Sequence, residues 1–370
     1  MRLLICAGGT GGGVYPALSI LQALKNEANP VLWVGGEGGM EAELVKKAGL
    51  PYTAIPAAGV HGVGLRALPG NILRLARGVL ASRRILKEFQ PEVLLFTGGY
   101  LAVPMALAGR HIPSLLYVPD IEPGLALKTL SRFASTIALT AEPSRTFFKH
   151  SKARVEVTGY PVRQDLLEWN RERGAEKLGL DAQQPILLVT GGSKGARSIN
   201  RAIVKGLPEL LQVTQICHLT GALDWEEVQM AREALSPDLQ KRYFAAPYLH
   251  EMGAALACAD LVISRAGAST LGEYPLFGLP AILVPYPYAW RYQKVNAMYL
   301  VEQGAAVMIE NQNLAEQLVP TVLRLIGSPE KLAAMRKAMR TLHRPQAAER
   351  IASLVLALAQ PQHGDNSWSV

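Results

Sequence analysis

The chain has 370 residues, 49% of them hydrophobic, and carries a net charge of +8. That length exceeds what one hydrophobic core commonly organises and supplies apolar residues for two, while the positive balance favours an anionic partner. Aromatic residues make up only 6% and no basic-aromatic module is present, which argues against nucleic acid and leaves nucleotides and membrane surfaces.

At the amino terminus Leu3–Cys6 is too short an apolar run for a signal peptide and reads as a first buried strand. The glycine-rich segment Gly8-Gly9-Thr10-Gly11-Gly12-Gly13 follows it. Further apolar runs at Val31–Val34, Val93–Thr97, Ser114–Val118 and Thr136–Leu139 alternate with segments of helical period. After the run Val93–Thr97 stands a second glycine turn, Gly98-Gly99-Tyr100. Thr158-Gly159-Tyr160-Pro161-Val162-Arg163 combines glycine and proline at the midpoint and reads as a linker. The second half repeats the pattern with Ile186–Thr190, Gln215–Leu219, Leu261–Ser264 and Ala281–Val284, and a third glycine loop, Gly191-Gly192-Ser193-Lys194-Gly195, opens it. One helical stretch from about Ser328 to Ala359 follows, then a tail expected to fray. No continuous apolar stretch is long enough to span a bilayer. Cys6, Cys217 and Cys258 lie far apart in apolar runs, with neither metal-ligand spacing nor a disulfide framework, as suits a reduced compartment.

Alternation of this kind predicts doubly wound α/β domains, parallel sheets covered by helices on both faces. In such sheets ligands bind beyond the carboxyl ends of the strands, where the glycine loops fall. Glycine lets the backbone turn with positive φ and approach a ligand, and the N–H groups opening the next helix attract negative charge. Ser264-Arg265-Ala266-Gly267-Ala268-Ser269-Thr270-Leu271-Gly272-Glu273 suits a nucleoside diphosphate. The amides near Ala268, with Ser269 or Thr270, can face phosphates, and Glu273 can accept hydrogen bonds from both ribose hydroxyls. Helix capping by Ser269 over a solvated Glu273 is the structural alternative. Gln293 offers an amide suited to sugar hydroxyls.

Together with Gly159 to Arg163, Gly191 to Asn200 and Gln293 to Ala297, these motifs resemble the MurG family, UDP-N-acetylglucosamine:N-acetylmuramyl-(pentapeptide) pyrophosphoryl-undecaprenol N-acetylglucosaminyltransferases, through almost the whole chain. The resemblance implies a GT-B fold, with two Rossmann-like domains over residues 1–160 and 161–340 facing across a cleft. A helix over 341–360 returns toward the first domain, and 361–370 form the tail. It implies an inverting transfer, without metal or cofactor, from UDP-N-acetylglucosamine to the C4 hydroxyl of lipid I, giving lipid II. It further implies that Ser193 and neighbouring amides meet the donor diphosphate, with Arg163 near the same pocket. Glu273 holds the ribose, Gln293 the sugar hydroxyls, and backbone from Phe244 to Leu249 the uracil. Thr10, Gly11, Gly12 and Gly13 face the acceptor pyrophosphate or the leaving phosphate. No Asp-x-Asp pair is evident, so amides, hydroxyls and arginine take up the charge that grows on the expelled UDP.

Three positions depart from the family pattern. Gly13 stands where the first loop normally closes with histidine, Tyr117-Val118-Pro119-Asp120 where His-Glu-Gln-Asn is usual, and Tyr160 at the usual asparagine of the linker. Asp120 is then the leading candidate for the base that takes the acceptor proton, ahead of Glu122 and His61; a turn residue after Pro119 is the plainer reading. Leu65–Lys87 interleaves arginines with leucine and isoleucine and is expected to dock on an anionic cytoplasmic membrane surface, which would make the protein peripheral. Cell-wall synthesis proteins are further candidate partners. Two alternatives stay open, a donor-binding paralogue without catalysis and a transferase using another lipid or glycoside acceptor.

Overall fold

The structure is a computed structural model that describes residues 1–8, 11–39, 41–57, 68–192, 194–287 and 292–360. The chain divides into two units, one comprising Met1–Pro119, Pro123–Pro161 and the chain from Gln346, the other Asp120–Glu122 and Val162–Pro345.

The first unit contains strands β1 (Leu3–Cys6), β2 (Val31–Gly36), β3 (Tyr52–Ile55), β4 (Val93–Phe96), β5 (Ser114–Val118), β6 (Thr136–Leu139) and β7 (Arg154–Val157). All pair in parallel, in the order β3-β2-β1-β4-β5-β6-β7. Strand order reverses between β1 and β4, so the turns that leave these two strands, at Gly8 and at Gly98-Gly99, flank the switch point. Leu4, Cys6, Leu94, Phe96, Leu116 and Val118 lie on one buried face, the period-two signature of strands covered by helices. The helix Ala347–Ala359 belongs to this unit and packs on the helix Gly11–Leu24 and on β4 and β5.

The second unit contains β8 (Ile186–Thr190), β9 (Gln215–Leu219), β10 (Tyr243–Ala246), β11 (Leu261–Ser264), β12 (Ala281–Leu283) and β13 (Ala306–Met308), again all parallel, in the order β10-β9-β8-β11-β12-β13. Its switch point lies between β8 and β11, paired in the register Val189 to Ile263. The helix Arg197–Val213 buries Ile199, Ile203, Leu207, Leu210 and Leu211 against this sheet, a stripe at helical spacing. Each such side chain contributes about 1.5–3 kcal/mol when fully buried. Local signals agree with the packing in the helix Arg171–Leu178: the Asn170 side chain accepts from the Arg173 amide at its start, and Gly179 closes it in the left-handed conformation at φ 65°.

Four strands escape the sequence reading, β3, β7, β10 and β13. They are the four sheet edges. An edge strand is covered on fewer sides, so it carries polar or small residues, as in Arg-Val-Glu-Val of β7, where the central strands read as unbroken apolar runs. The single helical stretch expected from Ser328 to Ala359 is also corrected. It is two helices, Pro329–Thr341 and Ala347–Ala359, separated at Pro345 and at Gln346, whose φ is 58°. Proline cannot continue the hydrogen-bond ladder and restricts the residue before it, and the two helices belong to different units. The tail 361–370 lies outside the described residues.

Candidate active site

In the second unit the loop leaving β8 passes through Gly191, Gly192 and Gly195 before the helix Arg197–Val213 begins. Ser193 lies outside the described residues. Gly195 has φ 75°, and a Cβ there would strike the Thr220 carbonyl; one on Gly221 would stand 2.6 Å from Gly195 Cα. Two glycine loops thus touch backbone to backbone. A buried polar chain supports this contact. Asn200 Nδ2 donates to the Thr220 carbonyl and to Asp224 Oδ2, both at 2.8 Å, which turns Asn200 Oδ1 toward His218 Nε2 at 3.0 Å. That nitrogen must carry the imidazole proton, so His218 Nδ1 accepts from the Tyr243 hydroxyl at 2.7 Å. Burial pushes the His218 imidazolium down to about 3, and the ring stays neutral. Arg197 Nε closes the chain on Asp224 at 2.7 Å.

The loop leaving β11 carries the next group. Thr270 is buried, and its hydroxyl donates to the Gly267 carbonyl at 2.7 Å, so it shapes the turn from within. Ser269 begins the helix Thr270–Phe277 without a side-chain cap bond to the backbone; its hydroxyl bonds Glu273 instead. Burial pushes the Glu273 carboxyl up to about 7, opposed by the Arg163 guanidinium and the Ser269 hydroxyl and reinforced by Asp165. Arg163 lies 3.7 Å from Asp165. Ser269, Glu273 and Arg163 are therefore one cluster, with Ala268 just before Ser269 in the loop, and Leu249 follows the edge strand β10, two strands from β8. Arg265, at the start of the same loop, bonds to carbonyl, amide and hydroxyl oxygens on three other segments.

Gln293 and Asn296 share one face of the helix Tyr292–Glu302. Gln293 Oε1 accepts from the Tyr286 amide at 2.9 Å. Asn296 is fully buried and donates from Nδ2 to Asp120 Oδ1 at 2.8 Å and to the Ala266 carbonyl at 3.2 Å, while its Oδ1 accepts from the Ile121 amide at 3.0 Å. Burial raises the Asp120 carboxyl, and the Asn296 bond partly opposes this. Asn296 is a candidate site residue to which the sequence alone gives no separate role; its place one turn after Gln293 is the signal that points to it. Glu122 is buried nearby in sequence.

In the first unit Thr10 and His61 lie outside the described residues. Gly11, Gly12 and Gly13 form the first turn of the helix Gly11–Leu24, and the Gly13 carbonyl accepts from Thr97 Oγ1 at 2.6 Å. A Cβ on Gly13 would meet nothing closer than 3.5 Å. Gly8 is different, since the buried Glu41 carboxylate fills the space beside it and accepts from the Gly36 amide at 2.8 Å. Two of the departures noted above meet here. Tyr117 and Tyr160 pack edge to face at 6.3 Å, and the Tyr117 hydroxyl is shared with Thr140 Oγ1 at 2.7 Å.

A groove of about 700 Å³ is lined by Arg171, Asp260, Leu332, Arg336 and Arg340 among others. It borders the amino ends of β8 and β11, the sheet edge opposite the glycine loops, and is separate from the groups described above.

Known proteins share this arrangement. Residues 3–139 match the glycosyltransferase family 28 N-terminal domain and residues 186–351 the family 28 C-terminal domain. A transferase of Desulforudis audaxviator (strain MP104C), named UDP-N-acetylglucosamine--N-acetylmuramyl-(pentapeptide) pyrophosphoryl-undecaprenol N-acetylglucosamine transferase, is 40% identical over 97% of this chain and 99% of its own length. The protein of the same name from Roseiflexus sp. (strain RS-1) is 39% identical over 97% of this chain and 95% of its own. Among solved structures, MurG of Acinetobacter baumannii superposes with a TM-score of 0.77 at 27% identity, covering 96% of this chain and 99% of that one. The two parallel-sheet α/β domains are those of the GT-B fold. With both family domains in order and this kinship along nearly its whole length, the chain belongs to the UDP-N-acetylglucosamine--N-acetylmuramyl-(pentapeptide) pyrophosphoryl-undecaprenol N-acetylglucosamine transferases of glycosyltransferase family 28.

Proposed function

We propose that the chain is an inverting transferase that moves N-acetylglucosamine from UDP-N-acetylglucosamine to the C4 hydroxyl of the muramyl sugar in lipid I, forming lipid II for peptidoglycan. The observation that carries this reading is the gathering, along the carboxyl edge of one sheet, of an amide-rich loop, the Ser269–Glu273 turn and the Gln293 amide. These suit in turn a diphosphate, a ribose and a sugar. In this reading Ser193 and the amides opening the helix Arg197–Val213 bind the diphosphate, with Ala268, Ser269 and Arg163 beside it. Glu273 accepts from the ribose hydroxyls, Leu249 borders the uracil, and Thr10 with Gly11 to Gly13 holds acceptor phosphate.

Asp120 is the base. Its carboxylate takes the proton of the acceptor hydroxyl, whose oxygen attacks the anomeric carbon as the bond to the UDP oxygen breaks on the opposite face. The charge growing on the β-phosphate is met by helix-terminal amides, which bind it more strongly in the transition state than in the ground state. Burial raises the Asp120 carboxyl, which makes its carboxylate a stronger base than an exposed one, and Asn296 holds it by one oxygen.

The polyprenyl chain of such an acceptor confines it to a bilayer, and we assign the helix Leu68–Phe89 to that surface. Gly78, Ser82 and Leu86 are its buried stripe, while Leu73, Arg77, Leu80, Arg84 and Lys87 form an exposed one, with Leu73 54% and Leu80 58% accessible. Apolar residues among cations on one exposed face suit an anionic interface. No helix among the described residues is long and apolar enough to cross a membrane.

Incubation of the purified chain with UDP-N-acetylglucosamine and a lipid I analogue tests the reading. Mass spectrometry is expected to find one added N-acetylhexosamine on the acceptor. The Tyr117–Tyr160 pair, in place of polar family residues, favours one other outcome, donor binding without transfer.

A further inference from the structure

We propose that Arg265 is a positioning residue that fixes which face of the Gln293 amide meets the donor sugar. This rests on the donor reading given above. Gln293 Oε1 is occupied by the Tyr286 amide at 2.9 Å, and among the described residues Nε2 has no protein partner. An amide anchored by its oxygen in this way has its NH2 group turned away from the anchor, so it meets sugar hydroxyls chiefly as a donor to their lone pairs.

The Tyr286 amide is itself held from β11. Arg265 Nη1 donates to the Val284 carbonyl at 3.1 Å, to the Pro285 carbonyl at 3.4 Å and to Asn311 Oδ1 at 2.9 Å. Its Nη2 donates to Ser198 Oγ at 2.9 Å, and Ser198 Oγ donates to Asn311 Oδ1 at 2.7 Å. The guanidinium also lies 5.3 Å from the centre of the Tyr286 ring. Arg265 thus ties the exit of β12 to the first turn of the helix Arg197–Val213 and to the Asn311 turn. All these partners are neutral, so the planar fork acts here by geometry, as lysine with a single ammonium cannot. Both terminal nitrogens of Arg265 are engaged by protein oxygens, and it influences the sugar through the Val284–Tyr286 segment.

Calorimetry on the full chain with UDP and with UDP-N-acetylglucosamine tests the inference, since the ratio of the two affinities isolates the sugar. Arg265→Lys is expected to lower the advantage of the sugar nucleotide over UDP by about tenfold, the scale of one lost hydrogen bond to a well-placed partner, with UDP affinity within about twofold. Tyr286→Pro removes the N–H that holds Oε1, whereas Tyr286→Ala keeps it. The proline variant is expected to lose the advantage and the alanine variant to keep it. Arg265→Lys combined with Gln293→Glu should lose no more than Gln293→Glu alone. Parallel loss of UDP and UDP-N-acetylglucosamine affinity in Arg265→Lys, or equal behaviour of the two Tyr286 variants, overturns the inference and leaves the donor reading standing. Failure of the unaltered chain to bind either nucleotide overturns both.

Discussion

The ionisation of Glu273 links one residue to a measurable pH dependence. Its carboxyl is pushed from an ordinary value of 4.5 up to about 7, chiefly by burial. The folded protein therefore holds this proton more tightly than the unfolded chain does. The stabilisation is complete below pH 4.5 and is lost as pH rises through about 7. Thermal unfolding of the ligand-free chain is expected to show this loss, and Glu273→Gln to remove it. UDP affinity should run the other way, rising toward and above pH 7, because only the carboxylate accepts from both ribose hydroxyls. Glu273→Ala is expected to cost about 1.5–3 kcal/mol of UDP binding at pH 8 by calorimetry, and unchanged affinity would remove Glu273 from the ribose. Gly13 gives a contrasting case. With only ordinary contacts, at 3.5 Å and beyond, awaiting its Cβ and with a helical backbone, Gly13→Ala should stabilise the fold by about 0.5–1 kcal/mol, read as a higher melting temperature. The glycine is thus not required by packing. Glu273 and Gln293 were legible as site candidates because their types and spacing follow a glycine turn. The partnership of Asp120 with Asn296 was not, since 176 residues separate them and no local pattern joins them.

At the scale of elements, what the sequence revealed follows burial. Nine central or near-central strands announce themselves as apolar runs, and the edges β3, β7, β10 and β13 do not, because half-covered strands need no such run. The join between β8, β11 and the helices beneath them was equally hidden. Asp260 accepts from Arg171 at 2.9 and 3.0 Å, from Arg336 at 3.2 Å and from the Ile186 amide at 3.0 Å, so one carboxylate ties two helices to the start of two strands. Asp260→Ala leaves both guanidinium groups without it and is expected to destabilise the chain by about 2–3 kcal/mol in urea unfolding. A loss below 0.5 kcal/mol would show that the network adds little. The helix Leu68–Phe89 makes its own prediction. Arg77→Glu with Arg84→Glu should abolish most sedimentation with phosphatidylglycerol vesicles, and binding of the unaltered chain should weaken as salt shortens the Debye length below about 10 Å. Retention equal to the unaltered chain would exclude this face.

The whole molecule combines two doubly wound units that carry the two domains of glycosyltransferase family 28. Their glycine loops fall at the switch points, as the alternation of apolar runs and helical segments predicts. The departures from the family pattern are the part that only coordinates explain. Tyr117 and Tyr160 are far apart in sequence yet form one aromatic contact, which turns two polar positions into one packing event. In the proposed reading proton removal then rests on Asp120, half-buried and held by Asn296. The most direct measurement of this account is the transfer rate onto a lipid I analogue, compared between the unaltered chain and Asp120→Asn, with donor affinity measured alongside. The account predicts transfer by the unaltered chain and a fall of about 10²–10⁴-fold in turnover for the variant, with UDP-N-acetylglucosamine affinity retained. Undiminished turnover in Asp120→Asn, or donor binding without any transfer by the unaltered chain, would contradict it.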